Sequence, residues 1–275
     1  MSTVKNNFRK KKQTSKSSLK TKPKTPLFIH IPKTAGSSIE EILYLNNYKE
    51  SRPQKILKKY QHSDILKTEY RFLKHLSKHH LPLSVYKPII EHRIKNNYHL
   101  FAVVRNPYER IISDFRFWVS QFYPQHQDSS NYQFKKLCME IKRIIPDLKI
   151  NSENLNSFVH YVLGDDHYKF SVLDGHLIPM HQYTHKEIKV SKNPNKWKYI
   201  SFCRVLKFEN LDQDFNKLIK ELYLRIPLNS TKNTVHNKSR GMKLTPHELD
   251  LESRQLIKRR YSVDFKLFKY SYLKE

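Results

Sequence analysis

Residues Leu27-Phe-Ile-His-Ile-Pro-Lys-Thr-Ala-Gly-Ser-Ser-Ile39 decide how the rest of the chain is read. They give a short apolar strand, a tight loop with one lysine and one glycine, and the start of a helix. The first backbone N–H groups of a helix have no intrahelical partner, and the helix dipole favours negative charge there. Lys33 adds a mobile cation, and Ser37 and Ser38 add hydroxyl donors. The segment is built for a phosphate or sulfate group. The Gly-x4-Gly-Lys-Ser/Thr spacing of the nucleotide P-loop is absent.

Leu100-Phe-Ala-Val-Val-Arg-Asn-Pro-Tyr-Glu-Arg-Ile-Ile-Ser-Asp-Phe115 repeats this logic. The apolar run Leu100 to Val104 predicts a buried strand. Asn106 can cap a helix, Pro107 suits its first position, and Glu109 falls where a capping box needs it. Arg105 then stands at the junction of strand and helix, with Ser113 about two turns further on. Two strand-loop-helix anion sites in one chain imply a ligand with two separate anionic groups.

Ile31 to Ser38 resembles the 5'-phosphosulfate loop of the carbohydrate sulfotransferases, the Golgi-type sulfotransferase family 2. Val104 to Arg110 followed by Ser113 is similar to that family's 3'-phosphate motif. Ile200 to Phe215 looks like its later strand and Phe-Glu-Asn-Leu helix start. His236-Asn-Lys-Ser239 is similar to a loop that returns to the nucleotide, and Tyr261, Asp264, Phe265 and Tyr270 match its C-terminal pattern. The resemblance spans roughly residues 27–272, weakly in the middle. It implies an α/β fold, a P-loop-NTPase-like central parallel sheet flanked by helices. It also implies 3'-phosphoadenosine-5'-phosphosulfate (PAPS) as co-substrate, no metal, and an acceptor hydroxyl, on a carbohydrate.

By that resemblance Lys33 is catalytic, and Thr34, Ala35, Gly36, Ser37 and Ser38 supply further donors to the 5' group. Arg105 and Ser113 hold the 3'-phosphate, and Lys238 and Ser239 approach the nucleotide. Arg110 pairs near Glu109 or covers the helix. The base is expected at His62, in Tyr60-Gln-His-Ser-Asp64, with His75, His79, His80, His92 and His99 competing. His176 belongs to an element similar to the family's His-x2-Pro-Gln, with Met180 replacing the glutamine. A structural or acceptor-positioning role is expected for it, and the acceptor contact at Met180 is open.

The chain has 52 Lys+Arg against 25 Asp+Glu, a formal +27. Residues 1–26 hold nine of those cations and no acid, and are expected to be a disordered basic tail ahead of a domain at 27–275. Such a balance attracts polyanions: PAPS, an acidic glycan, or nucleic acid. A bias toward Lys, Asn, Ile, Tyr and Phe is a plainer source of part of that charge. A nucleic-acid-associated protein, or a nucleotide- or glycan-binding module without turnover, are the alternative classes. Two cysteines exclude a disulfide framework. No apolar run reaches 18 residues and no secretory leader is read, so a soluble, cytoplasmic protein, similar to a bacterial or viral family member, is expected.

Along the chain, helices are predicted over 37–45, 107–122, 131–164 with Pro146 interrupting, and 211–224. One strand is predicted over Tyr199–Phe208, and loop over 165–198. Thr245-Pro-His-Glu248 is read as a capping box opening a last long helix to about Tyr261.

Overall fold

The computed structural model describes residues 25–49, 80, 82, 98–120, 132–164, 175–189, 197–233 and 243–274. Residues 1–24 of the expected tail, with His62, His75, His79, His92, Lys238 and Ser239, lie outside these; Thr25 and Pro26, read as the end of the tail, instead open the first strand by pairing with Tyr98 and His99. Three parallel strands, β1 (Thr25–Ile29), β2 (Tyr98–Val104) and β5 (Arg204–Lys207), form a sheet in the order β1-β2-β5. Leu27 pairs with Leu100, and Val104 with Lys207. The apolar runs of β1 and β2 are buried on both faces, as strands covered by helices require, whereas β5 buries only Leu206. Phe28, Phe101, Val103 and Leu206 face α1 (Gly36–Leu45) and, further along the chain, α6 (Leu211–Glu221). Leu27, Ile29, Leu100, Ala102 and Val104 face Met180, Tyr183 and Phe268.

A second core joins α2 (Pro107–Ser120), α3 (Tyr132–Ile144) and α4 (Ser152–Leu163) to α8 (Leu251–Arg260) and α9 (Ser262–Phe268). Between these groups lie α5 (His181–Thr184) and an antiparallel ribbon of β3 (His185–Lys189) and β4 (Trp197–Ser201), with the short α7 (Ser230–Asn233) after α6. The α/β class and the parallel sheet flanked by helices agree with the sequence reading. Among the described residues no helix is long and apolar enough to cross a membrane.

Several local expectations change. The strand read over Tyr199–Phe208 is two strands in different sheets, broken at Phe202 and Cys203. The Phe202 N–H donates to the Thr184 carbonyl and Ser201 Oγ to the Cys203 carbonyl, 3.1 and 2.9 Å, which turns the chain from ribbon to sheet. The loop read over 165–198 contains α5 and β3, whose polar sequence gave no apolar alternation. The Thr245–Glu248 box exists, with Glu248 accepting from the Thr245 N–H and hydroxyl at 2.5 and 2.6 Å. It opens only a 3-10 turn, Pro246–Glu248; α8 starts later, capped by Asp250 accepting from the Ser253 N–H at 2.7 Å. In the helical stretch after 131, Ile141 and Ile145 are buried as expected and Pro146 ends α3.

Because the strands are parallel, their C-terminal ends lie on one edge, where open α/β sheets bind ligands. Phe101 is fully buried at the centre, its ring 5.1 Å from that of Phe28. Phe101→Ala should destabilise the protein by about 3–5 kcal/mol in urea unfolding, the usual cost of emptying an aromatic core site.

Candidate active site

The three strand ends open onto a cleft of about 1050 Å³ lined by the loop after β1, the α2 face carrying Glu109, Ser113 and Arg116, and the turn after β5. The loop residues Lys33 and Ala35 have φ of 66° and 75°, left-handed values that cost a non-glycine residue about 1–2 kcal/mol each. That curl delivers the chain into α1. The cap residue of α1 is Ala35, and it makes no side-chain cap bond. The first N–H groups of α1 are therefore left for a ligand, whereas α4 is capped by Asn151, which accepts from the Asn154 N–H at 2.8 Å.

Lys33, Ala35, Gly36, Ser37 and Ser38 all line the cleft. A Cβ on Gly36 would lie 2.1 Å from His30 Nε2, so only glycine lets that imidazole rest on the helix start. Thr34 differs: it is fully buried and its hydroxyl donates to the Ile31 carbonyl at 2.9 Å. Its side chain braces the loop, leaving only its backbone for an anion.

Arg105 and Ser113 line the same cleft. The Arg105 guanidinium stacks 4.3 Å over the Phe208 ring and approaches the Lys33 carbonyl and Glu109, both at 3.4 Å. Among the described residues its buried Nε has no hydrogen-bond partner. The capping box expected at Glu109 is not formed by it. Asn106 caps α2 by accepting from the Tyr108 N–H at 2.9 Å, but the Asn106 N–H donates to Glu209, 2.7 Å away. Glu209, from the Phe-Glu-Asn-Leu turn, thus replaces the local glutamate and frees Glu109 to face Arg105. Tyr270 donates to the other Glu209 oxygen at 2.9 Å.

Arg110 overturns its expectation. It is 2% exposed and neither pairs with Glu109 nor covers the helix. Its guanidinium donates to three carbonyls: Pro32 at 3.0 Å, Ile178 at 3.0 Å and His176 at 2.6 Å. The 175–181 loop is held at further points. Tyr183 donates to the Gly175 carbonyl and Tyr261 to that of Leu177, at 2.9 and 3.2 Å. Asp264, fully buried, accepts from the N–H groups of Met180 and His181 at 2.7 and 2.9 Å. Met180 is core, not acceptor contact: it is fully buried and its Sδ accepts from the Arg105 N–H at 3.4 Å.

That loop sets His176 in the cleft wall beside Lys33. One turn along α2 from Arg110, Asp114 is 1% exposed and stands 2.5 Å from His176 Nδ1. His80 and then His30 continue the row, with ring centroids 5.2 and 4.9 Å apart, and His30 Nδ1 meets Glu40 at 3.1 Å. Burial pushes Lys33 down to about 8, opposed by Asp114 and helped by Arg105. Burial also lowers His176, against the pull of Asp114. Sequence reasoning passed over Asp114 and His30. The signal for Asp114 was a carboxylate on the apolar stripe of α2, four residues after Arg110. Among the described residues no cluster of three or more His, Cys, Asp or Glu could hold a metal ion.

Arg110→Lys keeps the charge but loses the fork that serves three carbonyls. It should cost about 2–4 kcal/mol in urea unfolding, as for breaking a buried charged network. Arg105→Lys, at the cleft surface, should cost less than about 1 kcal/mol in the same measurement.

A family model described as the Sulfotransferase family matches residues 18–271. No curated protein and no solved structure matches the chain. With the strand-loop-helix unit of β1 and α1, the arginine at the end of β2 and a match over nearly the whole sequence, the chain belongs to the sulfotransferase family.

Proposed function

We propose that this protein transfers the sulfuryl group of PAPS to an acceptor hydroxyl, on a carbohydrate. The observation that carries the reading is the convergence of Lys33, the uncapped start of α1 and Arg105 in one cleft. The cleft chemistry fits a nucleotide with anions at both ends. It offers backbone N–H groups, two serine hydroxyls and two cations, with Arg105 Nε a buried donor lacking a partner among the described residues.

In this reading the loop Lys33–Ser38 holds the 5' end and Arg105 with Ser113 the 3'-phosphate. Lys238 and Ser239 are proposed as further nucleotide contacts; His62, the base that the family resemblance offers, lies outside the described residues, and the base is assigned below to a described residue instead. When bound, PAPS supplies an activated sulfuryl group joined to phosphate. Lys33 places its ammonium where negative charge grows on the departing side, the usual source of rate in group transfer of this kind. Gly36 lets the backbone approach closely, and Phe117, 4.2 Å below the Lys33 ammonium, shields it from water.

Two measurements test the reading. Adenosine 3',5'-bisphosphate should raise the melting temperature more than AMP or ATP does, and Arg105→Ala should erase that preference; equal shifts for all three would refute it. Lys33 must be protonated to act and titrates near 8, so kcat/KM for PAPS should fall as pH rises through about 8. Lys33→Arg should move that alkaline limb to higher pH.

A further inference from the structure

We infer that His176, oriented by Asp114, is the group that takes the acceptor proton. The inference rests on the sulfuryl-transfer reading above and assigns one role within it to a described residue. The motivation is geometric. One face of α2 grips this residue twice: Arg110 holds its carbonyl at 2.6 Å and Asp114 its imidazole at 2.5 Å. Every carbonyl from Gly175 to Ile178 accepts a bond from a side chain elsewhere in the fold. Such fixation is excessive for a histidine that only fills space, and it matches what a base needs, a third group fixing its orientation.

Asp114 accepts a hydrogen bond from Nδ1–H, which selects the tautomer with a lone pair on Nε2. The second Asp114 oxygen is buried and, among the described residues, has no hydrogen-bond partner. The Asp114 carboxyl group stands directly behind the ring, on the side away from Nε2, where the imidazolium that forms would meet it. Among the described residues, the charged and titratable groups around the ring are Asp114 and Arg110 from α2, Lys33 from the loop after β1, and His80. The rings of Phe117 and Trp118 lie 5.3 and 5.5 Å away. Burial, His80 and Lys33 all oppose charging and outweigh Asp114, so the imidazole is neutral and ready to accept at neutral pH.

The step balances. The acceptor O–H proton passes to His176 Nε2, and the acceptor oxygen forms a bond to sulfur. The bond from sulfur to the bridging oxygen breaks, and that electron pair leaves with adenosine 3',5'-bisphosphate beside Lys33. His176 then returns its proton to solvent.

The test uses the full chain with PAPS and a hydroxyl acceptor, alongside binding of adenosine 3',5'-bisphosphate measured by thermal shift. His176→Ala and His176→Gln should keep the thermal shift and lower kcat by at least about 100-fold, the usual contribution of a positioned base. Added imidazole should restore part of the rate to His176→Ala. Wild-type kcat/KM should fall with acid along a limb below pH 6.5 that both variants lack. Asp114→Asn should move that limb to lower pH and cut kcat, because the carboxylate that favours the charged ring is gone. Nitrogen NMR on labelled histidine, free of substrate, should show the Nδ1–H tautomer at His176 in the wild type and its loss in Asp114→Asn.

A His176→Ala enzyme within threefold of wild type, with its acid limb intact, overturns the inference while the bisphosphate shift still supports the reading. Loss of the acid limb in His80→Ala alone overturns it in favour of His80. Absence of any bisphosphate shift in the wild type removes the sulfotransferase reading and this inference together. Should His176→Ala not fold, the Asp114→Asn limb and tautomer decide: an unmoved limb with an unchanged tautomer overturns the assignment.

Discussion

One guanidinium organises this site. Arg110 is buried where the end of the first loop, the helix after β2 and the 175–181 loop meet, and its fork ties carbonyls of Pro32, His176 and Ile178 together. A buried carbonyl without a partner is costly, and so is a buried unpaired cation. Each therefore stabilises the other, and neither loop can move alone without exposing both. The phosphate-type loop and the histidine loop are thereby one rigid body, though separated by well over a hundred residues in sequence.

Around that centre the sheet sets where the chemistry is and the side chains set its charge. Parallel strands bring Lys33, Arg105 and Glu209 to one edge, and Phe208 gives the Arg105 cation a face to rest on. The cations Lys33 and Arg105 repel each other, which helps to lower Lys33. Asp114 is the counterweight, a carboxylate held in the wall. It pulls Lys33 toward the charged form while also facing His176. A ligand rich in negative charge would relieve that repulsion.

The parts legible in the sequence were those written in local code. An apolar run followed by a loop and a helix start announced β1, β2 and the beginning of α1, since strand burial and helix termini depend on a few neighbouring residues. Asn106 was correctly read as a cap. Glu109 was not, because a glutamate from position 209 fills the same bond and no local rule foresees a partner so distant. Arg110 was misjudged, and Met180 left open, for a similar reason. A methionine in place of glutamine and an arginine on a helix take their meaning from what packs on them. Asp114 was silent because a single carboxylate on an apolar stripe has no spacing to betray it. The split of Tyr199–Phe208 was hidden by its continuous apolar texture, which masks the Phe202 bond to Thr184.

The brace supplied by Asp264 has a consequence for the order in which the molecule is made. Asp264 is synthesised 84 residues after Met180, whose N–H it accepts, and Tyr261 the same distance after Leu177, whose carbonyl it satisfies. At about 5–20 residues per second, the ribosome takes several seconds or more to cover that interval. Until then the histidine loop has Arg110 and Tyr183 but lacks Tyr261 and Asp264. The sheet and the loop after β1 can form early, whereas the 175–181 wall of the cleft is braced only once the last helices are made.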